Sequence, residues 1–179
     1  MVDPRKRRVF FSFHYDRDAW RTQQVRNIGV VEGAKPLSSN DWEQVKRGGK
    51  RAVEQWIEEQ LNGTSCTVVL IGRDTAERAF VLYEIRRSWA LGKGLVGIHI
   101  YGLQDRHGMT SCFQGSNPFE KIVVSNGSRR TTLDRLVKAY NPAPWWNRSE
   151  FHYDSIRQNI AQWVEEGINT RATSKEWTV

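Results

Sequence analysis

Apolar residues along this chain fall into two spacings. Continuous runs rich in β-branched and aromatic residues occupy Arg8–Phe13, Cys66–Ile71 and Leu95–Tyr101, each the length of a strand covered on both faces. A weaker strand is predicted at Ile28–Val31. Between these runs, apolar positions recur at helical spacing. Asp16 or Asp18 is placed to cap a helix that continues through Trp20 to about Arg26. Val53, Trp56, Ile57 and Leu61 form the stripe of a helix from about Lys50 to Leu61, which Asn62-Gly63 stops. A third helix starts after Asp74 or Thr75, carries Leu82, Ile85 and Trp89 along one face, and ends near Leu91-Gly92. The last spans Ser155–Glu166, with Ser155 and Gln158 as a capping box and Gly167 as its stop; Ile156, Ile160, Trp163 and Val164 are its stripe.

The remainder reads as connection. Gly33–Gly49 is polar and carries Pro36 and a Gly48-Gly49 pair, so a loop is predicted there. Gln104 to about Thr132 has little periodicity, which marks a functional loop or a family-specific insertion. The prolines of Asn141–Trp146 forbid a helix through that segment, and a mobile tail is predicted from Asn169. Strands alternating with helices imply a parallel sheet with right-handed crossovers, hence a flavodoxin-like three-layer α/β domain. The expected layout is one domain over 1–168, with its core at about 8–103, a loop and closing helix over 104–168, and a flexible tail over 169–179.

Composition narrows the class. A chain of 179 residues with 39% hydrophobic and 26% charged residues is that of a soluble globular protein long enough to bury a core. No apolar run approaches the roughly 20 residues that cross a bilayer. The basic start MVDPRKRR leads into a strand-length run and not a signal peptide. Cys66 and Cys112 read as reduced thiols of a cytoplasmic protein, too few for a disulfide framework or a metal site. The net charge of +7, clustered at Arg5–Arg8, Lys46-Arg47, Lys50-Arg51 and Arg129-Arg130, suits either phosphate attraction or plain solvated surface. No helix-turn-helix, zinc finger or RNA-binding signature accompanies it, so nucleic acid is not the expected partner.

Candidate chemistry lies just past two strand ends, where open α/β sheets bind ligands. Val68–Ile71 runs into Gly72 and a polar turn, and the following helix brings Glu84 back toward it. The first strand ends at His14-Tyr15-Asp16. Each residue has a plainer reading. Glu84 could pair with Arg87 on the helix surface, worth a few tenths of a kcal/mol. Phe13 and Phe80 could be core, and His14 a polar strand terminus. Asp41-Trp42 could meet a ribose and a base, or serve as an N-cap and a hydrophobic plug. Gly48-Gly49-Lys50 lacks Walker spacing and reads as a turn. No hydroxyl forms a triad with His99, His107 or His152, and no cluster suggests a metal.

Several blocks in order carry a family resemblance. Val9–Tyr15 (VFFSFHY), an aromatic four residues before Glu84, and Gly97–Ile100 (GIHI) resemble a TIR domain. More narrowly, Leu61–Gly72 (LNGTSCTVVLIG), Tyr83–Ile85 (YEI) and Gly115–Phe119 (GSNPF) resemble the TIR protein of bacterial Thoeris anti-phage systems, over about Arg8 to Ile122. The resemblance implies that NAD is a substrate and not a bound cofactor. One glutamate, here Glu84, breaks the nicotinamide–ribose bond. The product is a cyclic ADP-ribose isomer that activates a partner effector. Phe10, Phe13 and His14 match the first-strand residues lining the family's pocket, while Phe80 stands where the family usually has Trp. With Tyr15 and Asp41 these complete the expected substrate-binding set. A phage-derived trigger and self-assembly are the further expectations. A plain NAD hydrolase, a non-catalytic adaptor acting by self-association, and a charge-driven nucleotide- or nucleic-acid-binding module remain the alternatives.

Overall fold

The computed structural model describes residues 6–34, 38–142 and 148–179. Five parallel strands form the central sheet in the order β2-β1-β3-β4-β7: β1 (Arg8–Ser12), β2 (Glu32–Gly33), β3 (Cys66–Ile71), β4 (Gly94–His99) and β7 (Ala139–Tyr140). Val9 stands opposite Cys66 and Ser12 opposite Val69. Successive residues alternate between faces. Val9, Phe11, Val68, Leu70, Val96 and Ile98 pack with helices α1 (Tyr15–Asn27) and α5 (Ser149–Thr173). Val69, Ile71 and Leu95 pack with α4 (Ala79–Ala90), and Phe10 packs with α3 (Gly49–Leu61). Helices on both faces of a parallel sheet are the flavodoxin-like three-layer arrangement expected from the sequence.

Several local expectations are corrected. Neither Asp16 nor Asp18 caps α1; His14 holds the N-cap position, and both aspartates lie in the first turn. Ile28–Val31 closes α1 instead of forming a strand, because Gly29 turns the chain at φ 69° and pairing with Arg8 and Val9 falls on Glu32 and Gly33. The predicted loop before Gly49 contains helix α2 (Ser39–Arg47), started by a Ser38/Asp41 capping box that acid at N3 completes as well as Glu. Pro36 lies outside the described residues.

The predicted Glu84 helix is broken near its start. A 3₁₀ turn over Thr75–Glu77 precedes α4, with Arg78 extended between them at φ −89° and ψ 116°. The 104–132 connection holds a 3₁₀ turn at Pro118–Lys121 and an antiparallel hairpin, β5 (Val123–Asn126) with β6 (Arg129–Thr132). Its signal was the Asn126-Gly127 step, with Gly127 at φ 59°.

Helix α5 starts before Ser155 and runs through Gly167 to Thr173. Gly167 is therefore not a stop. A Cβ there would sit 2.6 Å from Leu95 O, so glycine lets helix and strand touch. The expected mobile tail is instead held: Trp89 Nε1 donates to Trp177 O at 2.8 Å, and Ser125 and Thr178 exchange backbone bonds at 2.8 and 2.9 Å. Of Asn141–Trp146, all but the first two residues lie outside the described residues. No described helix is long and apolar enough to cross a membrane.

Candidate active site

A cavity of about 350 Å³ opens beyond the carboxyl end of β1, walled by α1, α2, α3 and the start of α4. The pleat sets what faces it. Ser12 alternates with Phe11 and so shares a face with Phe10, toward α3 and α4. On α4 the buried positions are Val81, Glu84, Ile85, Ser88 and Trp89, one helix face at i, i+3, i+4 spacing. That stripe carries Glu84 inward, onto the end of β1.

Ser12, 1% exposed, donates its hydroxyl to Glu84 Oε2 across 72 residues of sequence. The Glu84 backbone carbonyl accepts from Ser88 Oγ at 2.7 Å, and that hydroxyl lies 2.7 Å from Thr67 Oγ1. The helix backbone around the carboxylate is thus tied to β3. Glu84 is 7% exposed, and burial pushes its pKa up to about 8, with the Ser12 hydroxyl pulling partly the other way. The alternative of a surface Glu84–Arg87 pair is absent: Arg87 turns to Glu58 on α3, its Nη2 2.8 Å from Oε2.

Aromatic rings line much of the remaining wall. Trp42 is central, with ring centroids 5.6 Å from Tyr15, 5.9 Å from Trp56 and 6.4 Å from Phe80. Phe13 stacks on Tyr15 at 5.8 Å, and Phe10 meets Trp56 edge-on at 6.4 Å. The cavity can therefore sandwich a planar ring while excluding water. His14 lines it too, 5% exposed, with neither ring nitrogen hydrogen-bonded among the described residues; Asp16 Oδ2 stands 4.0 Å from Nε2. Burial, then the Arg78 charge, lowers the His14 pKa, so the ring is neutral at pH 7 with one donor and one acceptor.

The structure thus brings Phe10, Phe13, His14, Tyr15, Phe80 and Glu84 to one cavity. Asp41 is the exception. It is exposed, its carboxylate is bound to Ser38 Oγ at 2.7 Å, and it stands outside the cavity wall. Capping wins there because α2 needs it to present Trp42. Ser12, Thr22 and Arg26 are wall or support residues that the sequence pattern did not single out, and Trp56, read from its spacing as helix stripe, also lines the wall. Only the period-2 alternation from Phe10 could have flagged Ser12. No group of three or more metal-ligating side chains occurs among the described residues.

Helices on both faces of a five-stranded parallel sheet, with the cavity at the β1 end and a helix-borne carboxylate reaching into it, define a TIR-like domain. The comparison of sequences gives the family. The one described as Thoeris protein ThsB, TIR-like domain, matches residues 10–105, just over half of the chain, and the chain belongs to it. A Bacillus cereus (strain MSX-D12) protein named "Putative cyclic ADP-D-ribose synthase ThsB1" is 40% identical over 121 residues, 65% of this chain. That match spans 62% of the relative's own length.

Proposed function

We propose that this protein is an NAD-processing enzyme of phage defence that cleaves the nicotinamide–ribosyl bond through Glu84 and closes the remainder into a cyclic ADP-ribose isomer. Glu84 at the floor of an aromatic cavity carries the proposal: among the described lining residues it is the buried carboxylate, while Asp16 on the wall is exposed. Nicotinamide in NAD is a cationic pyridinium. When its bond to the ribose C1′ breaks, the electron pair returns to the ring nitrogen and neutral nicotinamide leaves, so no general acid is required. Positive charge develops on the ribosyl carbon and ring oxygen, and the Glu84 carboxylate stabilises it at close range in a poorly hydrated site. Phe80, Trp42 and Tyr15 supply faces for the two heterocycles. A hydroxyl of the adenosine ribose then attacks C1′ and gives up its proton to the carboxylate, which closes the ring and balances the charge.

The relative's name, a cyclic ADP-D-ribose synthase, supports cyclisation over hydrolysis. The partners of the reading are NAD as substrate and an effector reached through the signal, with a phage-derived trigger. The test is mass spectrometry of extracts from phage-infected cells expressing wild type or Glu84→Gln. A new ADP-ribose-derived species in wild type alone is the expected result. Nicotinamide with linear ADP-ribose alone would make the protein a hydrolase. Protection persisting in both strains with identical extracts would leave a non-catalytic adaptor.

A further inference from the structure

One wall of the cavity is cationic and plays no part in the chemistry at Glu84. Thr22 and Arg26 lie one turn apart on α1, and both line the cavity. Thr22 is 1% exposed, yet its hydroxyl has no hydrogen-bond partner among the described residues. A buried threonine inside a helix ordinarily bonds the carbonyl four residues back, so an idle hydroxyl there is unusual.

The Arg26 guanidinium lies over the Phe11 ring, 5.3 Å from its centroid, and Nη1 donates to Ala34 O at 2.7 Å. It is half-buried, and no described carboxylate pairs with it. Of the neighbouring cations, Arg21 is paired with Asp18 at 3.0 Å and Lys46 with Glu43 at 2.6 Å, while Arg78, on the wall at the start of α4, has no carboxylate partner among the described residues either. Holding a guanidinium away from water without a counter-ion is costly, and pinning Ala34 O would need only a neutral donor. Five N–H groups are available, and one is engaged by Ala34.

We propose that Arg26 and Thr22 form an anion subsite that receives phosphoryl oxygens of the ligand, the pyrophosphate if the ligand is the dinucleotide of the reading above, on which this inference rests. The fork of the guanidinium suits two oxygens of a phosphate, and the Thr22 hydroxyl adds a donor one turn away. The cavity then has two poles. Glu84 meets the cationic ring and ribose, and Arg26 meets the anionic bridge, so a zwitterionic dinucleotide is held in one direction.

Isothermal titration with ADP-ribose, adenosine and inorganic pyrophosphate tests this on wild type, Arg26→Gln, Arg26→Lys, Thr22→Val and Thr22→Ser, each checked by thermal melting. Arg26→Gln is expected to weaken ADP-ribose about tenfold, the scale of one charge-assisted hydrogen bond. It should leave adenosine unchanged, and Arg26→Lys should recover only part of the loss, because an ammonium restores the charge without the fork. Thr22→Val should cost about threefold and Thr22→Ser should restore it. If Arg26→Gln melts well below wild type, the threonine pair alone decides. Pyrophosphate bound as tightly as ADP-ribose supports the subsite and makes a free anion its ligand. Unchanged ADP-ribose affinity in both Arg26→Gln and Thr22→Val, equal losses for ADP-ribose and adenosine, or no ADP-ribose binding by wild type overturns it. ADP-ribose binding that depends on Arg26, in a protein that never cleaves NAD, keeps the subsite and rejects the reaction instead.

Discussion

Glu84 titrates far from an ordinary carboxylate, and two consequences separate cleanly. Its ionised form is the one the proposed reaction needs, so kcat/KM for NAD cleavage should climb with pH and level off above about 8. Ser12→Ala removes the donor that favours ionisation and should move that rise to higher pH with little change in fold. A profile that stays in place would assign Ser12 to packing alone. The second consequence concerns stability. The folded-state pKa is raised above the unfolded one, so the native state holds the extra proton, and stability falls as pH climbs from 4.5 toward 8. Glu84→Gln should therefore melt higher than wild type at pH 8, by on the order of a few kcal/mol, and match it at pH 4. Equal melting at both values would mean that the carboxylate is better solvated than its 7% exposure indicates. At this scale the sequence showed much. Glu84 and His14 stand out by their places near strand ends and Phe10, Phe13 and Phe80 by the family resemblance, whereas Ser12 and Arg26 matter only through neighbours 72 and 8 residues away.

Elements place these residues, and two of them hinge on one position each. Helix α2 delivers Trp42 to the cavity, and its start rests on the Ser38/Asp41 box. Ser38→Ala should cost about 1 kcal/mol locally and raise the KM for NAD more than it lowers kcat, because a frayed α2 loosens a stacking wall. Unchanged kinetics would mean that packing against α3 holds α2 without its cap. In α5, Gly167→Ala sets two effects against each other. Helix propensity favours alanine by about 1 kcal/mol. The new Cβ, 2.6 Å from Leu95 O, would force the helix off β4 at a cost of about 1–3 kcal/mol. The expected sum is a lower melting temperature, and a rise would show that the contact relaxes freely. This also explains the misread helix end. A glycine after an apolar stripe means a stop in most helices, and only the strand beneath reveals that it serves close approach. The α2 region was missed for a related reason: its apolar face is two residues wide, Trp42 and Val45, and gains its meaning from α3.

At the scale of the molecule, the chain's last residues close a second layer over α4. Trp177 O accepts from the buried Trp89, and Thr178 pairs with the β5 strand. Deleting Lys175–Val179 should lower the melting temperature by several degrees and raise hydrogen exchange at Ser125, while a tail without structural role would leave both unchanged. The pattern of residues along the chain already carries the alternating strands and helices, their parallel sheet and the strand ends where open α/β sheets bind ligands, because hydrophobic period and strand-terminal chemistry are local properties. It also marked Glu84 as the residue to watch. Folding in three dimensions sets the state of that carboxylate, the partner of its oxygen, the wall built by Trp42 and Trp56, an Arg26 with no described carboxylate partner and the anchoring of the C-terminal residues. Each of these depends on what burial removes from water and on contacts between segments far apart in the chain, and neither is written in the spacing of neighbouring residues.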